Sequence, residues 1–85
     1  MAKRSRTLYF KVLIEQDEDG LYVASVPELP GCYTQGKTLE QVRERIREVI
    51  GLVLESDKEI KSEKFRSPGT QTRFFGIEDM HLQYA

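Results

Sequence analysis

Thr38-Leu39-Glu40-Gln41 opens the stretch that most constrains this chain. A Thr followed three residues later by Gln is the pattern of a capping box, in which each side chain satisfies an orphan backbone donor at a helix start. Leu39, Val42, Ile46, Val49, Ile50, Val53 and Leu54 then recur at steps of three and four. That spacing puts them on one face of an α-helix, and a helix with one apolar face must lie against another element. Arg43, Glu44, Arg45, Arg47 and Glu48 occupy the other positions, with Glu44 and Arg47 spaced as a favourable pair. The helix is predicted to end near Ser56.

The elements before it read as strands. Leu8, Phe10, Val12 and Ile14 alternate with Tyr9, Lys11, Leu13 and Glu15, which predicts a strand with one buried face. Asp17-Glu18-Asp19-Gly20 is a turn signal, and Leu21 to Val26 reads as the returning strand of a hairpin. Pro27 has no N–H for a ladder and ends that strand. Pro27-Glu28-Leu29-Pro30-Gly31 is then a rigid corner with a flexible exit. Cys32 to Gln35 forms a short third strand that stops at Gly36. Thr38 follows as the helix cap.

After the helix the signal weakens. Residues 57–72 are polar with alternating charge and a Ser-Pro-Gly turn, and they read as a loop. Phe74, Phe75 and Ile77 need a core, and Met80, Leu82 and Tyr84 alternate with His81 and Gln83 as a last strand would. Residues 1–6 are basic and polar and read as a flexible tail. With 85 residues there is room for one domain, here residues 1–85, and one core. The expected fold is α+β: a three-stranded antiparallel sheet, one amphipathic helix and a C-terminal strand, in the order β-β-β-α-β. One helix stripe covers one sheet face. The far face, with Tyr9 and Leu13 and also Leu21 and Val23, is left uncovered, which marks a protein contact.

Chemistry is scarce. Lys plus Arg is 13 and Asp plus Glu is 14, so the charge is not that of a protein whose whole surface grips nucleic acid. Glu15, Asp17, Glu18 and Asp19 could hold a divalent cation in a small hydrolase, but acidic residues beside a glycine more simply build a hairpin turn. His81 is the single histidine and has no ligand spacing around it. Cys32 is the single cysteine, so it has no internal disulfide partner, and it reads as a small buried filler. Lys3, Arg4 and Arg6, with Arg43, Arg45 and Arg47, could meet phosphates, and a nucleic-acid-binding module acting as an oligomer is the alternative function. Glu40, Glu44 and Glu48 interleave with the helix arginines and favour a charge-paired face instead. No phosphate-cradling glycine loop is present. The reading is of a non-enzyme without metal or cofactor. No apolar run is long enough to span a bilayer and no signal-peptide pattern opens the chain, so the expected compartment is the cytoplasm.

One stretch carries more. Asp17-Glu18-Asp19-Gly20, then Leu21 through Val26-Pro27-Glu28-Leu29-Pro30-Gly31-Cys32, then Gln35-Gly36-Lys37-Thr38-Leu39-Glu40-Gln41-Val42, closely resembles the signature of the HicB-like antitoxin family. The structural residues of that signature here are Gly20, Pro27, Pro30, Gly31, Gly36 and Thr38. The resemblance covers residues 7–55 well and 73–84 loosely. It implies a partial RNase H-like fold. It also implies binding to a HicA-type toxin, a small mRNA-cleaving protein, and assembly into dimers or tetramers. It does not imply nuclease activity. No helix-turn-helix or ribbon-helix-helix follows the last expected strand, so the resemblance does not extend to operator binding. The residues expected to contact a partner are Tyr9 and Leu13 on the far face, with Glu28, Leu29 and Tyr33 exposed around the corner.

Overall fold

The computed structural model describes residues 6–74 and 76–85. Its elements run β1 (Leu13–Gln16), β2 (Tyr22–Ser25), β3 (Tyr33–Gly36), α1 (Leu39–Ser56) and α2 (Lys58–Arg66). The sheet is three-stranded in the order β1-β2-β3, and both ladders are antiparallel. The α+β class and the meander followed by a capped helix agree with the sequence. Three other expectations need correction.

The first strand is shorter than its alternation suggests. Its ladder starts at Leu13, opposite Ser25. The next hydrogen-bonded position would set Lys11 opposite Pro27, which has no N–H to donate and turns the chain away. Residues 8–12 stay extended and meet the segment after α2 instead. The Tyr9 N–H donates to the Pro68 carbonyl at 2.9 Å, and the Lys11 ammonium donates to the Thr70 carbonyl at 3.1 Å.

Residues 57–72 are not all loop. Asp57 closes α1, its N–H donating to the Val53 carbonyl, and opens α2, its carboxylate accepting from the Glu59 and Ile60 N–H groups at 3.1 Å. The helix it opens packs Ile60 against the core. Phe65 is held by cations, with the Arg6 guanidinium 5.0 Å and the Lys61 ammonium 5.9 Å from its ring centre. Arg6 also donates to the Phe65 carbonyl at 2.6 Å. Arg6 is therefore docked rather than part of a flexible tail, while residues 1–5 of that expected tail lie outside the described residues.

The expected C-terminal strand is absent among the described residues 76–85, which belong to no ladder and are exposed throughout. A strand needs a partner backbone. The outer edge of β1 is flanked by Gly76 and Ile77, but no ladder joins them, and the chain then leaves the body. Phe75 lies outside the described residues.

The core is small: Ala24, Val26, Leu29, Cys32, Val42 and Ile46 are buried, and Phe10, Val12, Ile14 and Tyr22 from the sheet side pack on it. The helix meets the sheet at Gly36. A Cβ there would stand 2.9 Å from the Val42 backbone nitrogen, closer than packed atoms come, so only glycine lets the first turn of α1 rest on the end of β3. The Thr38 hydroxyl accepts from the Gln41 N–H at 3.0 Å, as the capping pattern requires. Gln41 reaches back to the Lys37 N–H at 2.7 Å, one residue before the cap itself.

Candidate partner-binding surface

Residues opposite one another in a ladder share a face of the sheet. Ile14, Ala24 and Thr34 form one row and Gln16, Tyr22 and Gly36 the next, and these look toward α1. Leu13, Ser25 and Tyr33 therefore line up across the far face, followed by Glu15, Val23 and Gln35. Neither helix packs on these rows, and Tyr33 is 69% exposed while Leu13 and Val23 are half-buried. The far face thus exists, and its register joins Leu13 to Tyr33 through one small residue, Ser25.

The expected contact residues separate on inspection. Leu13 and Tyr33 share a row. Tyr9 lies beyond the ladder, at the sheet margin, with Gly69 close against its backbone and Cβ. Leu29 is not exposed around the corner but is core, 4% exposed, and this corrects the sequence reading. Its burial follows from the corner itself. The Leu29 N–H donates to the Val26 carbonyl and the Cys32 N–H to the Leu29 carbonyl, each at 3.0 Å, which folds the loop back over the sheet end and turns Leu29 inward. Gly31 closes this double turn at φ 78°, a left-handed value that glycine adopts without strain. Glu28 stays at the surface and accepts from the Lys64 ammonium at 3.1 Å, so the corner is tied to α2. The same ammonium lies 4.4 Å from the Phe10 ring centre. No sequence pattern foretells this Glu28–Lys64 link, because it spans 36 residues.

The acidic cluster is a turn. The Asp17 carboxylate accepts from the Asp19 and Leu21 N–H groups at 2.9 Å, and the Gly20 N–H donates to the Asp17 carbonyl. Among the described residues no group of His, Cys, Asp and Glu is arranged to hold a metal ion. His81 is exposed in the C-terminal segment. Cys32 is 3% exposed, and burial pushes its thiol above the ordinary value, which disfavours the reactive thiolate. Of the helix arginines, Arg45 is engaged in the fold, donating to the Gln35 carbonyl at 2.9 Å. Asp17 to Asp19 stand at the hairpin end of the sheet, whereas Glu28 at the corner end is turned to α2 through Lys64. The far face thus offers Leu13, Val23 and Tyr33 as an uncovered apolar patch with exposed Glu15 beside it.

Comparison with known proteins settles the family. Residues 10–71 match the family described as the HicB-like antitoxin of bacterial toxin-antitoxin systems. The chain belongs to this family. A UPF0150 protein of Archaeoglobus fulgidus is 50% identical over 56 residues, which is 66% of this chain and 81% of the relative. A UPF0150 protein of Synechocystis is 56% identical over 46 residues, 54% of this chain and 67% of the relative. Another, of Thermoplasma acidophilum, is 51% identical over 49 residues, 58% of this chain and 71% of the relative. No solved structure matches. The HicB-like match takes in the hairpin, the corner and both helices, and stops before the extended segment 76–85. Among the described residues no helix is long and apolar enough to cross a membrane.

Proposed function

We propose that this HicB-like chain is an antitoxin that binds a HicA-type mRNA-cleaving toxin in the cytoplasm and blocks it by protein contact, without chemistry of its own. The observation that carries the proposal is the uncovered row Leu13–Ser25–Tyr33, with exposed Glu15 in the row beside it. An RNA-cleaving partner must present cations to the phosphates of its substrate. An apolar patch with the Glu15 carboxylate beside it competes for that same surface. Exposed tyrosines are among the side chains that carry most binding energy when a partner seals them from water. The partial RNase H-like relationship belongs to this same proposal, and the three-stranded meander followed by a helix is compatible with it.

The test is reconstitution. The chain and a HicA-type toxin encoded beside it are mixed, and cleavage of an RNA by the toxin is followed. The expected result is a complex and protected RNA. Tyr33→Ala is expected to weaken the complex about 30-fold, the scale of one central aromatic anchor, with unchanged circular dichroism. A toxin that stays fully active in excess of the folded chain would remove the antitoxin reading.

A further inference from the structure

Away from the far face, an open groove of about 790 Å³ lies between the extended segment that leads into β1 and helix α1. Phe10, Ile50 and Leu54 line it, and Arg6, Arg43 and Arg47 line it as well. Among the described residues Arg43 and Arg47 are in no ion pair, so the expected Glu44–Arg47 pair is not formed. The groove is apolar and positively charged.

The chain carries a segment of the opposite character. Met80, Leu82 and Tyr84 are 83%, 84% and 92% exposed. In an extended chain they share one face, and Glu78 heads that face with Asp79 beside it. Residues 76–85 contain no Lys or Arg. Nine extended residues reach about 30 Å. The stretch of α1 from Ile46 to Leu54 is about 12 Å long, so the segment can cross the groove with length to spare.

It does not occupy its own groove. Gly76 and Ile77 lie beside Val12 to Glu15, and residues 78–85 beyond them are exposed throughout, with none of them lining the groove. The radius of gyration is 15.9 Å. A compact chain of this length would have about 12 Å.

We propose that residues 76–84 seat in the groove of a second copy of this chain, and that two copies exchange these segments reciprocally. Met80 and Leu82 cover the apolar floor, and Glu78 and Asp79 meet Arg43 and Arg47. One rotation relates the two identical contacts, so the assembly closes as a dimer. The surface used is separate from the row Leu13–Ser25–Tyr33, so each subunit of the dimer keeps its far face open.

The test is a charge swap read by sedimentation across a concentration series. The unaltered chain is expected to dimerise. E78K/D79K and R43E/R47E are each expected to weaken that dimer by about tenfold or more, the scale of losing close charge pairs. Mixed together, the two variants restore both contacts in a heterodimer, because a lysine segment meets a glutamate groove and the unaltered acidic segment meets the unaltered arginine groove. A second measurement stands in if a swap disturbs folding. Gly51→Cys and Met80→Cys are placed in one C32S chain, since Gly51 lines the groove with open space beside it. A disulfide between two chains is expected. A monomeric unaltered chain, an unrestored mixture of folded variants, or a disulfide within one chain would each overturn the exchange. None of these readouts uses a toxin, so failure here leaves the antitoxin proposal standing.

Discussion

Gly36 and Cys32 show how much one residue can decide in a core this small. Gly36 sets the approach of helix to sheet, because a Cβ would stand 2.9 Å from the Val42 nitrogen and 3.2 Å from its Cα. Backbone cannot step aside as a side-chain tip can. Gly36→Ala should therefore cost about 1–3 kcal/mol, the range for forced overpacking, and chemical denaturation will show it as a lowered midpoint. Cys32 gives a pH prediction with a definite sign. Burial raises its folded-state thiol above the ordinary 9.0. The folded chain then keeps a proton that the unfolded chain releases as pH climbs past that value. The stabilisation is complete below 9.0 and is lost as pH rises toward the higher folded-state value. Denaturation between pH 8 and 10.5, roughly the span over which thiols and their raised counterparts titrate, should show a decline that Cys32→Ala lacks. The same burial predicts slow alkylation of Cys32 by iodoacetamide until the chain is unfolded. The sequence displayed these two residues plainly but not their reasons. A glycine before a cap reads as a strand end, and only the seating of α1 shows that it is also a spacer.

Helix α2 is the element that sequence reading missed, and its composition explains why. Periodicity detects helices that bury an apolar stripe, whereas Lys58–Arg66 offers only Ile60 and Phe65. Its docking comes from elsewhere: cations against the Phe65 ring, the Lys64 ammonium over Phe10, and the Glu28–Lys64 pair. These contacts join residues far apart in the chain and leave no local pattern. The legible trace was Asp57 with Glu59 two places on, a start signal that the surrounding charge disguised. Since Asp57 accepts from two N–H groups of α2, Asp57→Ala should destabilise by about 1 kcal/mol and reduce helical circular dichroism. The strands were more readable because the hairpin turn and the proline corner announce themselves. Even so, the alternation of residues 8–15 could not reveal that Pro27 falls where the first half of the strand needs its partner. The same register decides the binding row. Alternation placed Leu13 on the far face, but only the β2–β3 pairing brings Tyr33 beside it, and only the folded corner shows Leu29 turned inward.

For the molecule as a whole, the open question is what covers its exposed apolar surface. Among the described residues nothing packs on the far face of the sheet, and the groove beside α1 is open as well. The extended segment 76–85 sharpens that point, because its residues alternate as a strand's do while none of them joins a ladder. No described side chain of that segment is buried, so removing residues 76–85 takes nothing from the core. In dilute solution the shortened chain should unfold at the same midpoint as the full chain, within about 0.5 kcal/mol, as changes at exposed positions do. Concentration then separates two physical situations. A segment that only hangs in water leaves both midpoints independent of concentration. A segment that docks into a second copy binds the native state alone, so mass action raises the full chain's midpoint as protein is added. The shortened chain, which has the groove but nothing to place in it, should show no such rise. Thermal melts over a hundredfold range of concentration, about 2.7 kcal/mol of mass action at its limit, are enough to tell the two apart.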